Sequence, residues 1–387
     1  MNPLQIISSI TSQSSYNEIK VIISGIKFKV YIQNEYTKQF LDDISFYVHD
    51  GKAVYDKEYT VYQTLDDNKY NYLKEALSQQ KFKMLTIYQS SKDVITKAKE
   101  FSIEDIFIYE IIESDCFVVN CGDVKYLIMS DATKEKERQL LRIMKEVAIR
   151  TCENNKGVIF HAASLKYRGN GIVLTGQKGA GKTTLLCKLL NIPSVDYIAN
   201  DKVMITNQYD IVYLPLALHA GIGTVQNDSK LEHFIDTSAL CRKQNTGLQD
   251  KKAASAYDKY SVTSKEISQI YSCNLLASAQ LHLIIIPRMH IGEDFIEIKE
   301  MSNIDKYRII TENVLTPEDL MWPNPWVEPR TYAVKEMLQN TNTVIRSLVE
   351  SIPIIAIDFG THVKDEKILR IMDFICNENL RERKTEL

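Results

Sequence analysis

A long apolar stretch is missing from these 387 residues. No run suffices to cross a bilayer, which takes about 20 consecutive apolar residues. The opening MNPLQIISSITSQSS does not set a basic flank ahead of a solid apolar segment, so it does not read as a signal peptide. The expectation is a cytoplasmic chain with no membrane partner. An excess of positive charge is missing as well. Lys and Arg number 47 against 50 Asp and Glu, a formal net charge of -3. No overall basic field is therefore present to hold nucleic acid or anionic lipid. The seven cysteines lack metal-finger or dense disulfide spacing, and the seven histidines are scattered. That usage fits reduced thiols in a cytoplasm. No repeat and no low-complexity tract is present.

What is there is globular in composition, 44% hydrophobic and 25% charged. The length suggests roughly two to three domains, each able to bury a core without disulfides or metals. Residues 1–130 read as a mixed α+β domain. Apolar and β-branched stretches at 19–32, 83–88 and 116–129 alternate with polar turns, and 36–44 and 71–80 read as short helices. TKEKERQLLRIMKEVAIRTCENN (133–155) has helical spacing and ends at Asn-Asn-Lys-Gly, a stop signal. The boundary is placed just before this helix, making 131–387 a second, α/β domain. Strands are expected at 158–165, 171–176, 195–201, 203–206, 211–216 and 281–288, with a helix at 183–190. Residues 226–280 are polar and resist assignment, and the C-terminus reads as a helix with a charged tail.

GQKGAGKTT (176–184) fits the pattern G-x-x-x-x-G-K-[ST]. Gly176, Gly179 and Gly181 permit backbone angles that side chains obstruct. Successive N–H groups of Gln177, Lys178, Gly179 and Ala180 can then turn toward phosphate oxygens. A helix starting near Lys182 aims its positive end at the same place. Lys182 would reach the β- and γ-phosphates, and the Thr183 hydroxyl, followed by Thr184, would sit on Mg²⁺. An apolar strand runs in and an amphipathic helix runs out, the context a nucleotide site needs. Lys178 reads either as an added charge near phosphate or as a solvated lysine.

Asp201 closes the strand VDYIAND. At the carboxyl end of a parallel strand it would lie beside the loop, able to hold Mg²⁺ or take a proton from an attacking hydroxyl. Asn-Asp is also common turn chemistry, so a capping role stays open. His161 sits in an apolar strand, where a packed core residue competes with a functional one. Lys251, Lys252 and Lys259 lie in a stretch that would either close over substrate or stay a solvated loop. Trp322 and Trp326, the only tryptophans, read as core anchors or as a shelf for a peptide.

HAASLKYRGNGIVLTGQKGAGKTT followed by VDYIAND resembles the catalytic domain of HPr kinase/phosphorylase and the wider group of HPr-kinase-like peptide and small-molecule kinases. The match is best over 157–225 and continues through LHLIIIPRMHIGEDFIEIKEMS (281–302). The resemblance implies a P-loop kinase domain of the HPr-kinase/carboxykinase-like type using ATP and Mg²⁺. It places His161 at the family's active-site histidine, Lys182 and Thr183 at the phosphate lysine and metal hydroxyl, and Asp201 at the general base toward a serine hydroxyl. Arg288 would correspond to a later catalytic arginine.

Two departures stand out. The first acid of the family's pair is Asn200 here, whose amide carries no charge but can accept a hydrogen bond. LPLALHAGIGT (214–224), the counterpart of a segment with a metal-binding glutamate, has no acid. A leaner metal site follows, and phosphorolysis or the phosphocarrier protein as substrate is disfavoured.

The resulting expectation is γ-phosphoryl transfer from ATP to a hydroxyl of a peptide or protein, with serine favoured and a biosynthetic precursor peptide among the acceptors. Alternatives are a small-molecule hydroxyl kinase and a nucleotide-binding or ATPase module without transfer. The apolar strand at 281–288 ends in Pro-Arg rather than Asp, and no ABC-type signature is present, which argues against a transport ATPase. Residues 1–130 are open to recognising a partner, forming a homo-oligomer, or packing on the kinase domain.

Overall fold

A computed structural model of the chain describes residues 5, 8–10, 16–33, 53–89, 94–237, 242–244 and 259–385. The helix expected at 36–44, and Lys251 and Lys252, lie outside the described residues. The described chain is mixed α/β with large mixed sheets. It divides into two compact units, Met1–Asn154 with Pro317–Ala333, and Asn155–Thr316 with Val334–Leu387. The expected boundary at 130/131 is therefore displaced. The long helix belongs to the first unit, and a segment from far downstream returns to it. Among the described residues no helix is long and apolar enough to cross a membrane.

The first unit is an eight-stranded sheet. Its strands are β1 (Asn17–Ile23), β2 (Ile26–Ile32), β3 (Glu58–Leu65), β4 (Lys83–Gln89), β5 (Ile95–Ile103), β6 (Ile106–Ile111), β7 (Cys116–Cys121) and β8 (Val124–Met129), in the order β1-β2-β3-β8-β7-β6-β5-β4. Only β2–β3 and β3–β8 pair in parallel. The stretch 19–32, continuous in hydropathy, is a hairpin because Ser24 and Gly25 both take positive φ, the tight turn that matches strand twist. Helix α1 (Asp67–Leu77), capped by Asp66 accepting from Lys69 N, lays Tyr70, Leu73 and Leu77 on Phe101, Ile108, Phe117 and Val119.

Helix α2 (Lys134–Asn154) follows β8 and buries Leu140, Ile143, Met144 and Val147. A fully buried ion cluster joins it to the returning segment. Arg150 Nε donates to Glu146 Oε1 and Nη1 to Glu153 Oε2, both at 2.9 Å, and Nη2 donates to Trp322 O at 2.8 Å. Arg330 Nε also reaches Glu153 Oε2, at 3.0 Å. Trp322 and Trp326 are buried edge-on against Tyr88 and Tyr109, so they are core anchors and not a peptide shelf.

The second unit holds the loop. Its strands and helices, in chain order, begin with β9 (Val158–Phe160), β10 (Ala162–Tyr167), β11 (Asn170–Thr175), α3 (Lys182–Leu190), β12 (Val195–Ala199), β13 (Val203–Ile205), β14 (Asp210–Tyr213) and β15 (Leu218–Gly221). They continue with α4 (Ile222–Gln226), α5 (Ser229–Thr237), β16 (Arg242–Gln244), β17 (Lys259–Val262), α6 (Ser264–Tyr271), β18 (Ser278–His290), β19 (Ile296–Lys299), α7 (Asn303–Asn313), α8 (Val334–Ser351), β20 (Ile354–Gly360) and α9 (Asp365–Thr385). The main sheet runs β12-β10-β11-β18-β14-β13-β9, with β20 beside β18 and β19 beside β20. β18 is parallel to both β11 and β20, and its Leu283–Ile286 run is buried, as strands covered on both faces require. β15, β17 and β16 form a separate three-stranded sheet. The single strand expected at 158–165 is broken at His161, whose N–H donates to Asn313 O at 2.8 Å instead of to a ladder. β9 then pairs with β13, and β10 with β11 and β12.

Candidate nucleotide and phosphoryl-transfer site

Strand direction brings the sequence's candidate residues to one place. β10 is antiparallel to both β11 and β12. β11 and β12 therefore run the same way and end where β10 begins. His161 immediately precedes β10, Gly176 follows β11, and Asn200 and Asp201 follow β12. The registers Ala162↔Thr175 and Ser164↔Ala199 set these ends level. Asp201 turns through a left-handed conformation, φ 70°, and its carbonyl accepts from Ala162 N at 3.3 Å. Asp tolerates that region better than most side chains.

The loop from 176 to 181 connects β11 to α3. Gly181 has φ 92°, and a Cβ there would lie 2.7 Å from Met289 Cβ and 2.9 Å from the Phe359 ring. Only glycine fits where the loop passes so close to β18 and β20. Gly181 is also the residue before α3, with no side-chain cap, so no capping side chain claims the first N–H groups of the helix. Lys182 folds back, its Nζ donating to Gly176 O at 2.7 Å and Gln177 O at 3.2 Å. Thr183 Oγ1 donates to Asn200 Oδ1 at 3.5 Å. The amide at 200 therefore serves as an acceptor for the hydroxyl expected on Mg²⁺.

These groups line a cleft of about 450 Å³. Of the loop, Lys178, Gly179, Gly181, Lys182, Thr183 and Thr184 face it; Gly176, Gln177 and Ala180 shape it from outside its lining. His161, Asn200 and Asp201 also line it. His161 Nε2 lies 3.8 Å from Asp201 Oδ1. Among the described residues no hydrogen bond uses the Asp201 carboxylate, so it does not cap a turn.

Burial pushes the Lys182 ammonium down to about 8, against the pull of Asp201 and with the repulsion of Lys259. Burial, then Lys182, lowers the proton affinity of His161, which Asp201 partly restores. Both shifts disfavour the charged forms in the free protein, and an anion entering the cleft would favour the charged form of Lys182.

Arg288 is not brought to the cleft. On β18 its neighbour Met289 faces the cleft, and alternation turns Arg288 and His290 the other way. Both approach Asp358 on β20, each at 3.8 Å. His219 is a further residue of the cleft. It stands on β15, and Lys259 on β17 joins it. No local pattern marked His219, because its strand is four residues long and its partner lies far along the chain, Leu218 pairing with Val262. A usable signal did exist nearby. Thr263-x-x-Glu266 is a capping box that starts α6 and fixes where β17 must end.

Compared with models of known protein families and with curated proteins, the chain matches none.

Proposed function

We propose that the protein is an ATP-dependent phosphotransferase whose second unit is a P-loop kinase domain of the HPr-kinase-like type, acting on a hydroxyl, in first place a serine, of a peptide or protein. The observation that carries this reading is the Asp201 carboxylate, without a hydrogen bond among the described residues, in the same cleft as the 176–184 loop.

The loop N–H groups and the start of α3 bind the phosphate chain. Lys182 exchanges its two loop carbonyls for phosphate oxygens and offsets charge on the transferring group. The donor set suits a lean magnesium site, because Mg²⁺ takes one or two carboxylates and completes its shell with phosphate and water. Thr183 Oγ1 and Asp201 would hold it, and when bound it supplies charge neutralisation to the phosphates. Asp201 accepts the acceptor's hydroxyl proton as that oxygen bonds to the γ-phosphorus and the bond to the β-phosphate oxygen breaks, releasing ADP. His161, neutral near pH 7, stays beside the carboxylate. Positioning and charge neutralisation supply most of the rate, as is general for phosphoryl transfer.

The test is mass spectrometry of candidate peptides, serine-bearing proteins and small alcohols incubated with ATP and Mg²⁺, alongside calorimetric nucleotide binding. Asp201→Asn is expected to lower transfer by about 10²-fold or more, with a much smaller loss of ATP affinity. Normal turnover in that variant would remove the base assignment. ATP consumption indifferent to every acceptor would instead favour an ATPase, a reading that Asn200 in place of an acid keeps in view.

A further inference from the structure

The second wall of the cleft has no role in the chemistry above. It is built by β15 and β17, whose register pairs His219 with Ser261 and Gly221 with Lys259. Paired residues share a face and so do residues two apart. His219 and Lys259 therefore project from one face, and Gly221, with no side chain, leaves the space beside Lys259 open. The hydroxyls of Thr184 on α3 and Thr224 on α4 meet at 2.9 Å and fix this wall to the loop's own helix.

The polar state of the two side chains is informative. His219 Nδ1 is buried with no hydrogen-bond partner. A buried bare acceptor is less costly than a buried orphan N–H, so the proton of a neutral imidazole sits on Nε2. That atom makes no hydrogen bond within the described residues and belongs to a side chain lining the cleft. Burial, then Lys259, keeps the ring neutral against the pull of Asp201. No ion pair or hydrogen bond among the described residues takes up the Lys259 ammonium. The cleft lining holds Lys178, Lys182 and Lys259 against a single carboxylate, Asp201, a balance that calls for anionic ligands.

We infer that His219 and Lys259 form an anion subsite separate from the glycine-rich loop, His219 donating through a neutral Nε2–H and Lys259 acting as the cation, to an oxyanion of the group that faces the nucleotide. The assignment rests on the phosphotransferase reading for the identity of that group. It fits two sources, the transferring phosphoryl group and an acidic group on the acceptor, which share the chemistry of an oxyanion.

The experiment titrates inorganic phosphate, and separately acetate, into the full chain loaded with ADP and Mg²⁺. Phosphate is expected to bind the wild type. Lys259→Met should weaken it by about tenfold, the value of one charge-assisted hydrogen bond. His219→Phe should weaken it several-fold, and His219→Gln, whose amide N–H₂ lies at the ε position, should recover most of the loss. Acetate competing at the same residues assigns the subsite to a carboxylate-bearing acceptor; phosphate alone assigns it to the phosphoryl group. Equal phosphate affinity in all variants, or none in the wild type, overturns the inference. Nitrogen-15 NMR of the wild type is a second readout that does not depend on turnover. A bare Nδ1 and a protonated Nε2 that responds to phosphate are expected, and a proton on Nδ1 refutes the assignment. If ADP does not bind, the nucleotide reading fails by itself, and phosphate titration of the free protein still decides the subsite.

Discussion

Lys182 offers a quantitative handle on the proposed nucleotide site, because burial holds its ammonium near the middle of its titration in ordinary buffers. Its proton affinity lies at about 8, well below that of a solvated lysine. Only the cation is a good partner for phosphate. In the free protein about nine-tenths of Lys182 is charged at pH 7 and about one-tenth at pH 9, so affinity for ADP with Mg²⁺ should fall about tenfold, or roughly 1.4 kcal/mol, between the two. The sign is fixed by linkage. Binding favours the charged form, so the complex takes up a proton, and uptake approaches about one per site at pH 9.

Calorimetry in buffers of different ionisation enthalpy measures that uptake directly. Lys182→Arg is the control, since guanidinium stays charged throughout. It should bind more weakly at pH 7 but show no fall toward pH 9, with the nucleotide's own ionisation unchanged. Asp201→Asn should move the wild-type midpoint to lower pH, because the carboxylate is what holds the Lys182 proton on. A wild-type affinity that is flat to pH 9, with no proton uptake, would refute the reasoning from burial to phosphate binding.

Two further outcomes follow from packing. Gly181→Ala places a methyl group against Met289 and Phe359 at positive φ; it should cost about 1–2 kcal/mol from the backbone alone, lower the thermal midpoint, and weaken nucleotide binding, and an unaltered melt and affinity would contradict the close fit. Arg150→Ala leaves Glu146 buried without a cation and Glu153 with Arg330 alone; urea unfolding should report a loss of about 3–5 kcal/mol, and a change below 1 kcal/mol would show that the cluster contributes little.

The loop was legible because everything that makes it is contiguous. An apolar run, three glycines, Gly-Lys-Thr and an amphipathic run occupy neighbouring positions, and the structure places β11, the loop and α3 on them. Asp201 was legible for a related reason, lying at a strand end that hydropathy alone locates to within a residue or two, whereas His161 read as the middle of one strand. Other features were not. The break at His161 depends on a bond to Asn313, which strand texture does not announce. The return of Pro317–Ala333 to the first unit depends on Arg150, Glu153 and Arg330 meeting in a dry interior, although the two tryptophans marked the segment as unusual. Arg288 was placed at the site by resemblance alone, which does not say which face of β18 its side chain takes. One residue of shift in a strand exchanges faces.

Local pattern, then, determined that this chain carries a glycine-rich loop between a strand and a helix, an imidazole within an apolar run, a carboxylate at a strand end, and two regions of different texture. Those are properties of short windows, where steric preference and periodicity act between residues close along the backbone. Tertiary structure alone decided that the imidazole, carboxylate and loop share one cleft, that His219 and Lys259 complete its second wall, and that Arg288 turns away. Such juxtapositions come from pairing between distant strands, whose register is set by burial of whole faces and leaves no mark on any single stretch of sequence.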